Sequence, residues 1–521
     1  MCPKQIDMDI LTGLYNYQID ALRSTELERK GIVVLPTSTG KTYVQSSIIA
    51  KDITMNSGQF RMYVINAPRI ILTYQLLKEV YQFLTKRGIE ARYHFTHSGS
   101  AIDERDLEHI RMEAKQDGIN IPFAEIDSTT SVNRCVEAME KSIEQELPLI
   151  IFSTYNSAEK VELARRQVRL PISIVLNDEA HYLVQDRFFD ILSILKSSRC
   201  YFFTATMRYT PSEEGRGMNN VDAYGKVLYT LTPREAIDRG KMVRPRLHIV
   251  KTNGVYTSED YDRSLNLVIS NSFIQHKKYF EGHHPNMKAK MLVGTRGSDD
   301  MKNFIDSPQY TELRESGVDV FAISSNEEIG NFVNGNRVKR QEFLSILREY
   351  GKDKNKELLV LHYDILTEGI DVPGFTGCLL LRTLVRSKFY QTYGRIARLD
   401  PEDRRRLDNG EIRATDTHLM NKPYGYVILP WITETNKDDS EFMRNLVEAM
   451  REYGFDSFED IVGDFNPRGS DEDTPEPGFN EVTRRPRSTG NIINEVLSEI
   501  EDESIAKLSP LEYLQQHLEV I

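Results

Sequence analysis

The sequence predicts an α/β protein built on parallel sheets with flanking helices. Three observations carry this. Apolar runs of strand length recur, several end in polar tips, and the first leads into a helical pattern through a Gly-Lys-Thr loop. Strands that end one after another in polar residues place those tips along one edge of a parallel sheet, where ligands bind in such folds.

The chain has 521 residues, a length that allows about three domains of about 150 residues each. Hydrophobic residues make up 40 % and charged residues 28 %, the proportions of a globular protein with large cores. No apolar run has the length of a membrane-spanning helix, and Met1 to Asp9 lacks the basic and apolar regions of a signal peptide. The expectation is a cytoplasmic protein of a bacterial or phage-infected cell. Four scattered cysteines without a C-x-x-C pair argue against a zinc ribbon or a disulfide framework. The net charge of −12 does not advertise nucleic-acid binding, although an acidic protein can present a local basic groove.

Leu14 to Leu22 is apolar at helical spacing and carries Gln18, whose amide has the donor and acceptor to match an adenine edge. Gly31 to Val34 reads as a strand and Tyr43 to Ala50 as a helix. Between them Thr37, Ser38, Thr39, Gly40, Lys41 and Thr42 form a loop at a helix N-terminus, where backbone N–H groups and the helix dipole favour a triphosphate. Lys41 would reach the β- and γ-phosphates and Thr42 would hold Mg²⁺. Leu35 stands where the first glycine of the general phosphate-loop pattern would be.

Met62 to Asn66 reads as the second strand, followed by a helix carrying Leu72, Gln75, Leu76 and Val80. A polar, poorly patterned region from Gly88 to Leu147 includes a helical portion near Val132 to Met139. Leu149 to Phe152 reads as the third strand and Ile172 to Leu176 as the fourth, which runs into Asp178 and Glu179. Adjacent carboxylates at a buried strand end are costly without a cation to serve. In a nucleotide site Asp178 would assist Mg²⁺, and Glu179 would orient and deprotonate the attacking water. Cys200 to Phe203 is the next strand, ending in Thr204-Ala205-Thr206.

Taken together, Gln18, Pro36 to Thr42, Pro68 with Gln75, Thr154-Tyr155, Asp178-Glu179-Ala180-His181 and Thr204-Ala205-Thr206 resemble motifs Q, I, Ia, Ic, II and III of superfamily 2 helicases. Met291 to Arg296 resembles motif IV, Thr367 to Pro373 motif V and Gln391 to Arg398 motif VI. The nearest likeness is to UvsW-like phage DNA helicases and restriction-enzyme motor subunits. Ser38 stands where many relatives have Gly, and Ile70, with Arg69 beside it, where many have Arg.

The resemblance implies two tandem RecA-like domains, at 1–243 and 244–432, and an ATP site between them. It assigns ATP contacts to the loop and to Gly369 and Asp371 of motif V; Asp371 also reads as a turn cap. It assigns catalytic roles to Gln391, Arg395 and Arg398 of motif VI, with Arg398 as the cation that stabilises the transition state. Two arginines three apart share a helix face. Thr204 and Thr206 would couple hydrolysis to movement, and Arg69, Thr154, Thr295 and Tyr363 would hold nucleic acid.

Past Pro430 the sequence predicts a helical extension over 433–465, a flexible linker over 466–490 rich in Pro and charge, and a helical tail over 491–521. The tail either packs on the body or docks a protein partner. The functional expectation is an ATP-dependent DNA helicase or translocase using Mg²⁺. An RNA helicase and the motor of a restriction-type nuclease complex are the alternatives.

Overall fold

The computed structural model describes residues 9–97, 128–129, 131–210, 215–251, 261–295, 297–324, 330–363, 374–381, 386–431, 446–455 and 461–463. The chain divides into two compact units, the first running to Thr232 and the second starting at Pro233.

In the first unit, helix α1 (Asn16–Leu27) precedes strand β1 (Lys30–Val34), helix α2 (Lys41–Met55), β2 (Met62–Ala67), α3 (Ile70–Thr85), β3 (Arg92–Thr96) and β4 (Ser128–Thr129). Then follow α4 (Val132–Glu144), β5 (Leu149–Thr154), α5 (Ala158–Val168), β6 (Ile172–Asn177), β7 (Ser197–Thr204) and β8 (Lys226–Thr230). The strands form one sheet in the order β4-β3-β5-β2-β6-β7-β1-β8, and every pairing in it is parallel. Strands β2, β5 and β6 are buried along their whole length, as continuous apolar runs must be when helices cover both faces. Cys135 and Met139 of α4 and Val161 and Ala164 of α5 share a core with Val64 and Ile151. Burying Met139, Val161, Val64 or Ile151 stabilises by about 1.5–3 kcal/mol each.

The second unit opens with α6 (Pro233–Asp238), β9 (Arg244–Lys251), α7 (Tyr261–His283), β10 (Lys290–Gly294), α8 (Ser298–Ile305), α9 (Pro308–Glu315) and β11 (Asp319–Ile323). It continues with the hairpin β12 (Asn331–Val333) and β13 (Asn336–Val338), α10 (Arg340–Lys352), β14 (Leu358–His362), β15 (Gly377–Leu380), α11 (Arg386–Ile396), α12 (Pro401–Asp408), β16 (Tyr424–Trp431) and β17 (Ile461–Gly463). Its sheet runs β13-β12-β11-β14-β10-β15-β16-β9-β17, antiparallel only at β11-β12 and β12-β13 among the recorded pairings. Leu265, Ile269, Phe273 and Phe280 line one side of α7 and pack on Met291, Val293, Leu361 and Ile428.

Two boundaries differ from the sequence expectation. The units part at 232/233 rather than 243/244, because residues 233–243 fasten to the second unit: Val243 N–H donates to Ala397 O at 2.8 Å and Lys241 pairs with Asp408 at 2.6 Å. The expected helical extension holds a helical stretch at 446–451, but it also supplies β17, which pairs in parallel with β9. The expected linker and tail lie outside the described residues.

Candidate nucleotide and nucleic-acid sites

The loop between β1 and α2 is tied to its surroundings at several points. Leu35 N–H donates to Thr204 O at 2.9 Å, and the Thr39 hydroxyl donates to Pro36 O at 2.7 Å. Ser38 has φ +70° and Gly40 φ +82°. Left-handed residues beside helical ones turn successive N–H groups toward one point, the concavity that binds anions. A Cβ at Gly40 would collide with the Gln18 amide, so glycine is required there twice over, by conformation and by space.

Gln18 is buried and both ends of its amide are in use. Oε1 accepts from Tyr15 N–H at 2.9 Å, and Nε2 donates to Thr39 O at 3.0 Å and Gly40 O at 3.4 Å. The Tyr17 hydroxyl donates to the same Thr39 carbonyl at 2.7 Å. The side chain expected to face adenine therefore anchors the phosphate loop to α1.

Lys41, the first residue of α2, places Nζ 2.7 Å from Glu179 Oε1. Glu179 follows β6 with φ +48°. Its neighbour Asp178 is fixed through the backbone, N–H to Asn66 O at 2.8 Å and carbonyl to the Tyr155 hydroxyl at 2.6 Å. Asp178 Oδ1 accepts from Gln45 Nε2 at 2.8 Å. Burial, with Glu179 adding to it and Lys41 and Gln45 opposing, pushes the Asp178 carboxyl up to about 7. His181 Nδ1 lies 3.1 Å from Thr204 Oγ1 and 3.4 Å from Glu179 Oε2. The Thr204 hydroxyl donates its proton to Thr206 O at 2.6 Å, so the histidine must carry hydrogen on Nδ1 and donate. Burial lowers His181 to about 4, which keeps it neutral. These contacts connect the expected coupling residues Thr204 and Thr206 to Glu179.

In the second unit α11 carries Gln391 and the buried Arg395, and half-buried Arg398 lies just past its end. Lys422 Nζ donates to Ile396 O at 2.7 Å and to Arg398 O at 2.7 Å, bracing the backbone around this pair. Gly369 and Asp371 lie outside the described residues.

The expected nucleic-acid residues fall at the carboxyl ends of neighbouring strands. Thr154 ends β5 opposite Ala67 of β2, and exposed Arg69 lies two residues past Ala67. Thr295 follows Gly294 of β10, whose partner His362 of β14 precedes half-buried Tyr363. Thr154 and Thr295 are buried. Their hydroxyls meet Ser157 Oγ at 3.0 Å and, for Thr295, Gly297 O at 3.0 Å and His362 O at 3.1 Å.

Residues 12–209 match the family described as Type III restriction enzyme, res subunit. Among solved structures, the ATP-dependent Type ISP restriction-modification enzyme LlaBIII bound to DNA aligns with a TM-score of 0.60 and 17 % identity, over 85 % of this chain and 30 % of its own. A nuclease-deletion mutant of the Type ISP enzyme LlaGI, in complex with a DNA substrate mimic, aligns at 0.54 and 17 %, over 84 % of this chain and 29 % of its own. At 17 % identity these structures show the fold alone, two α/β units of the kind found in tandem RecA-like helicase domains. The chain spans under a third of those two proteins' length. No curated protein matches its sequence.

Among the described residues no cluster of three or more His, Cys, Asp or Glu forms a metal cage. A single buried carboxylate beside a phosphate loop fits Mg²⁺, which is held by one or two carboxylates together with substrate phosphates. Thr42 and Asp178 would hold it, and bound Mg²⁺ neutralises charge on the β- and γ-phosphates. Sequence reading missed Gln45, Tyr17 and Lys422, and placed Tyr155 in a motif without giving it a role. Gln45 alone left a signal, standing one helical turn beyond Thr42.

Proposed function

We propose that this chain is an ATP-driven DNA helicase or translocase acting on forked, branched or duplex DNA in replication, recombination or repair. The Lys41–Glu179 pair at 2.7 Å, beside buried Asp178 and behind the phosphate loop, is the observation that supports it. Without nucleotide, Lys41 neutralises Glu179. An incoming γ-phosphate competes for Lys41, and the released carboxylate then accepts a proton from the attacking water. Thr37, Ser38, Thr39 and Gly40 cradle the phosphates, with Gln18 holding the loop on the adenine side. The family resemblance adds Gly369 and Asp371 as nucleotide contacts and Gln391, Arg395 and Arg398 as catalytic residues, Arg398 stabilising charge in the transition state. Hydrolysis is relayed through His181 to Thr204 and Thr206, and Arg69 and Tyr363 hold the strand from strand ends that buried Thr154 and Thr295 brace.

DNA is favoured over RNA because LlaBIII and the LlaGI mutant are described with DNA and a DNA substrate mimic. The same likeness, with the match over residues 12–209, supports a second reading as the motor of a restriction-type assembly. The deciding experiment measures ATP hydrolysis with no nucleic acid, single-stranded, duplex and forked DNA, and RNA, with Glu179→Gln as control. Stimulation by DNA that the control abolishes is expected. Stimulation by RNA alone, or by nothing, overturns the DNA reading; DNA cleavage by the pure chain favours the restriction reading.

A further inference from the structure

Gln45 lies on α2 three residues beyond Thr42, on the same helix face. Its side chain is completely enclosed. Such a position suits an apolar residue, since a buried amide group left without a hydrogen-bond partner is costly. One end of the amide is satisfied: Nε2 donates to Asp178 Oδ1 at 2.8 Å. Oε1 is buried with no hydrogen-bond partner among the described residues. An acceptor is thus left over beside Asp178.

A divalent cation shared with phosphates keeps several of its waters, and those waters are strong hydrogen-bond donors. We propose that Gln45 is an outer-sphere residue of the divalent-cation site, its Nε2 fixing Asp178 and its Oε1 accepting from a water of the cation's hydration shell. This rests on reading the loop as a nucleotide site, and it makes Gln45 a positioning residue rather than a catalytic one. The orphaned acceptor is satisfied when the metal–nucleotide complex binds, so the amide favours that complex over metal-free nucleotide.

The test uses the full chain and a fluorescent ADP analogue, its affinity measured in EDTA and across a Mg²⁺ titration, with thermal unfolding as a check on folding. Two variants are compared with wild type, Gln45→Met, which keeps the volume but removes both polar contacts, and Gln45→Asn, whose amide is too short for both. In EDTA all three should bind the nucleotide within about twofold of one another, whereas the Mg²⁺ midpoint of both variants should rise about tenfold, the usual cost of losing an outer-shell partner. The two variants disturb packing in opposite ways, so a common loss confined to the Mg²⁺ arm identifies the bridge. An unchanged Mg²⁺ midpoint in either folded variant, or an equal loss with and without metal, overturns the proposal. Failure of wild type to bind the nucleotide at all overturns the nucleotide-site reading itself, and the proposal with it.

Discussion

Ser38 adopts φ +70° in the phosphate loop, a conformation that costs a residue with a Cβ about 1–2 kcal/mol relative to its right-handed counterpart. A glycine there would avoid that cost, while the backbone N–H groups, which would do the anion binding, are the same for either residue. Ser38→Gly should therefore leave nucleotide affinity within about threefold of wild type, measured by the fluorescent nucleotide titration. A tenfold loss would show instead that the Ser38 hydroxyl itself contacts the ligand. Gly40→Ala has the opposite expectation. The added carbon meets the Gln18 amide and the backbone stays left-handed, so the variant should lose nucleotide binding by at least about tenfold.

At the scale of elements, the end of α11 is secured by a lysine that burial holds down to about 7. Lys290, also buried, is held down to about 8. Both values lie below the ordinary lysine value, so above pH 7 the unfolded chain binds more protons than the folded one, and stability rises with pH until the unfolded lysines also lose theirs. The midpoint of thermal unfolding should accordingly climb from pH 7 to about pH 9, and Lys422→Met should flatten the climb. A slope unchanged by the substitution would mean Lys422 stays charged in the fold. The same variant loosens the Ile396 and Arg398 carbonyls, so it should lower kcat for ATP more than it raises KM. Strands β1, β2, β5 and β6 were legible in the sequence because burial on both faces makes them unbroken apolar runs. Strand β3 was not, since Arg92-Tyr93-His94-Phe95-Thr96 mixes polar with apolar residues although His94 and Thr96 are buried. Strand β17 is three residues long and owes its form to β9. Within the site, Lys41, Asp178 and Glu179 announce themselves by residue type and place. The Gln45–Asp178 bond joins residues 133 apart, and no local pattern records it.

For the whole molecule, a net charge of −12 means that the chain as a whole repels a phosphate backbone, and affinity has to arise from a few well-placed cations and backbone donors. Arg69 is placed for this role: it is exposed, at the N-terminus of α3, beside the carboxyl ends of β2 and β5. A contact to phosphate fixes position without reading sequence. Arg69→Ala should therefore weaken DNA binding by a similar factor on unrelated sequences, and the slope of log affinity against log salt should become shallower by about one. Nucleotide affinity without DNA should not change, because Arg69 lies outside the Lys41–Glu179–Asp178 group. If the salt slope stays as in wild type while affinity falls, Arg69 supports the local fold rather than the strand. If the loss differs between sequences, Arg69 reads base edges rather than phosphate.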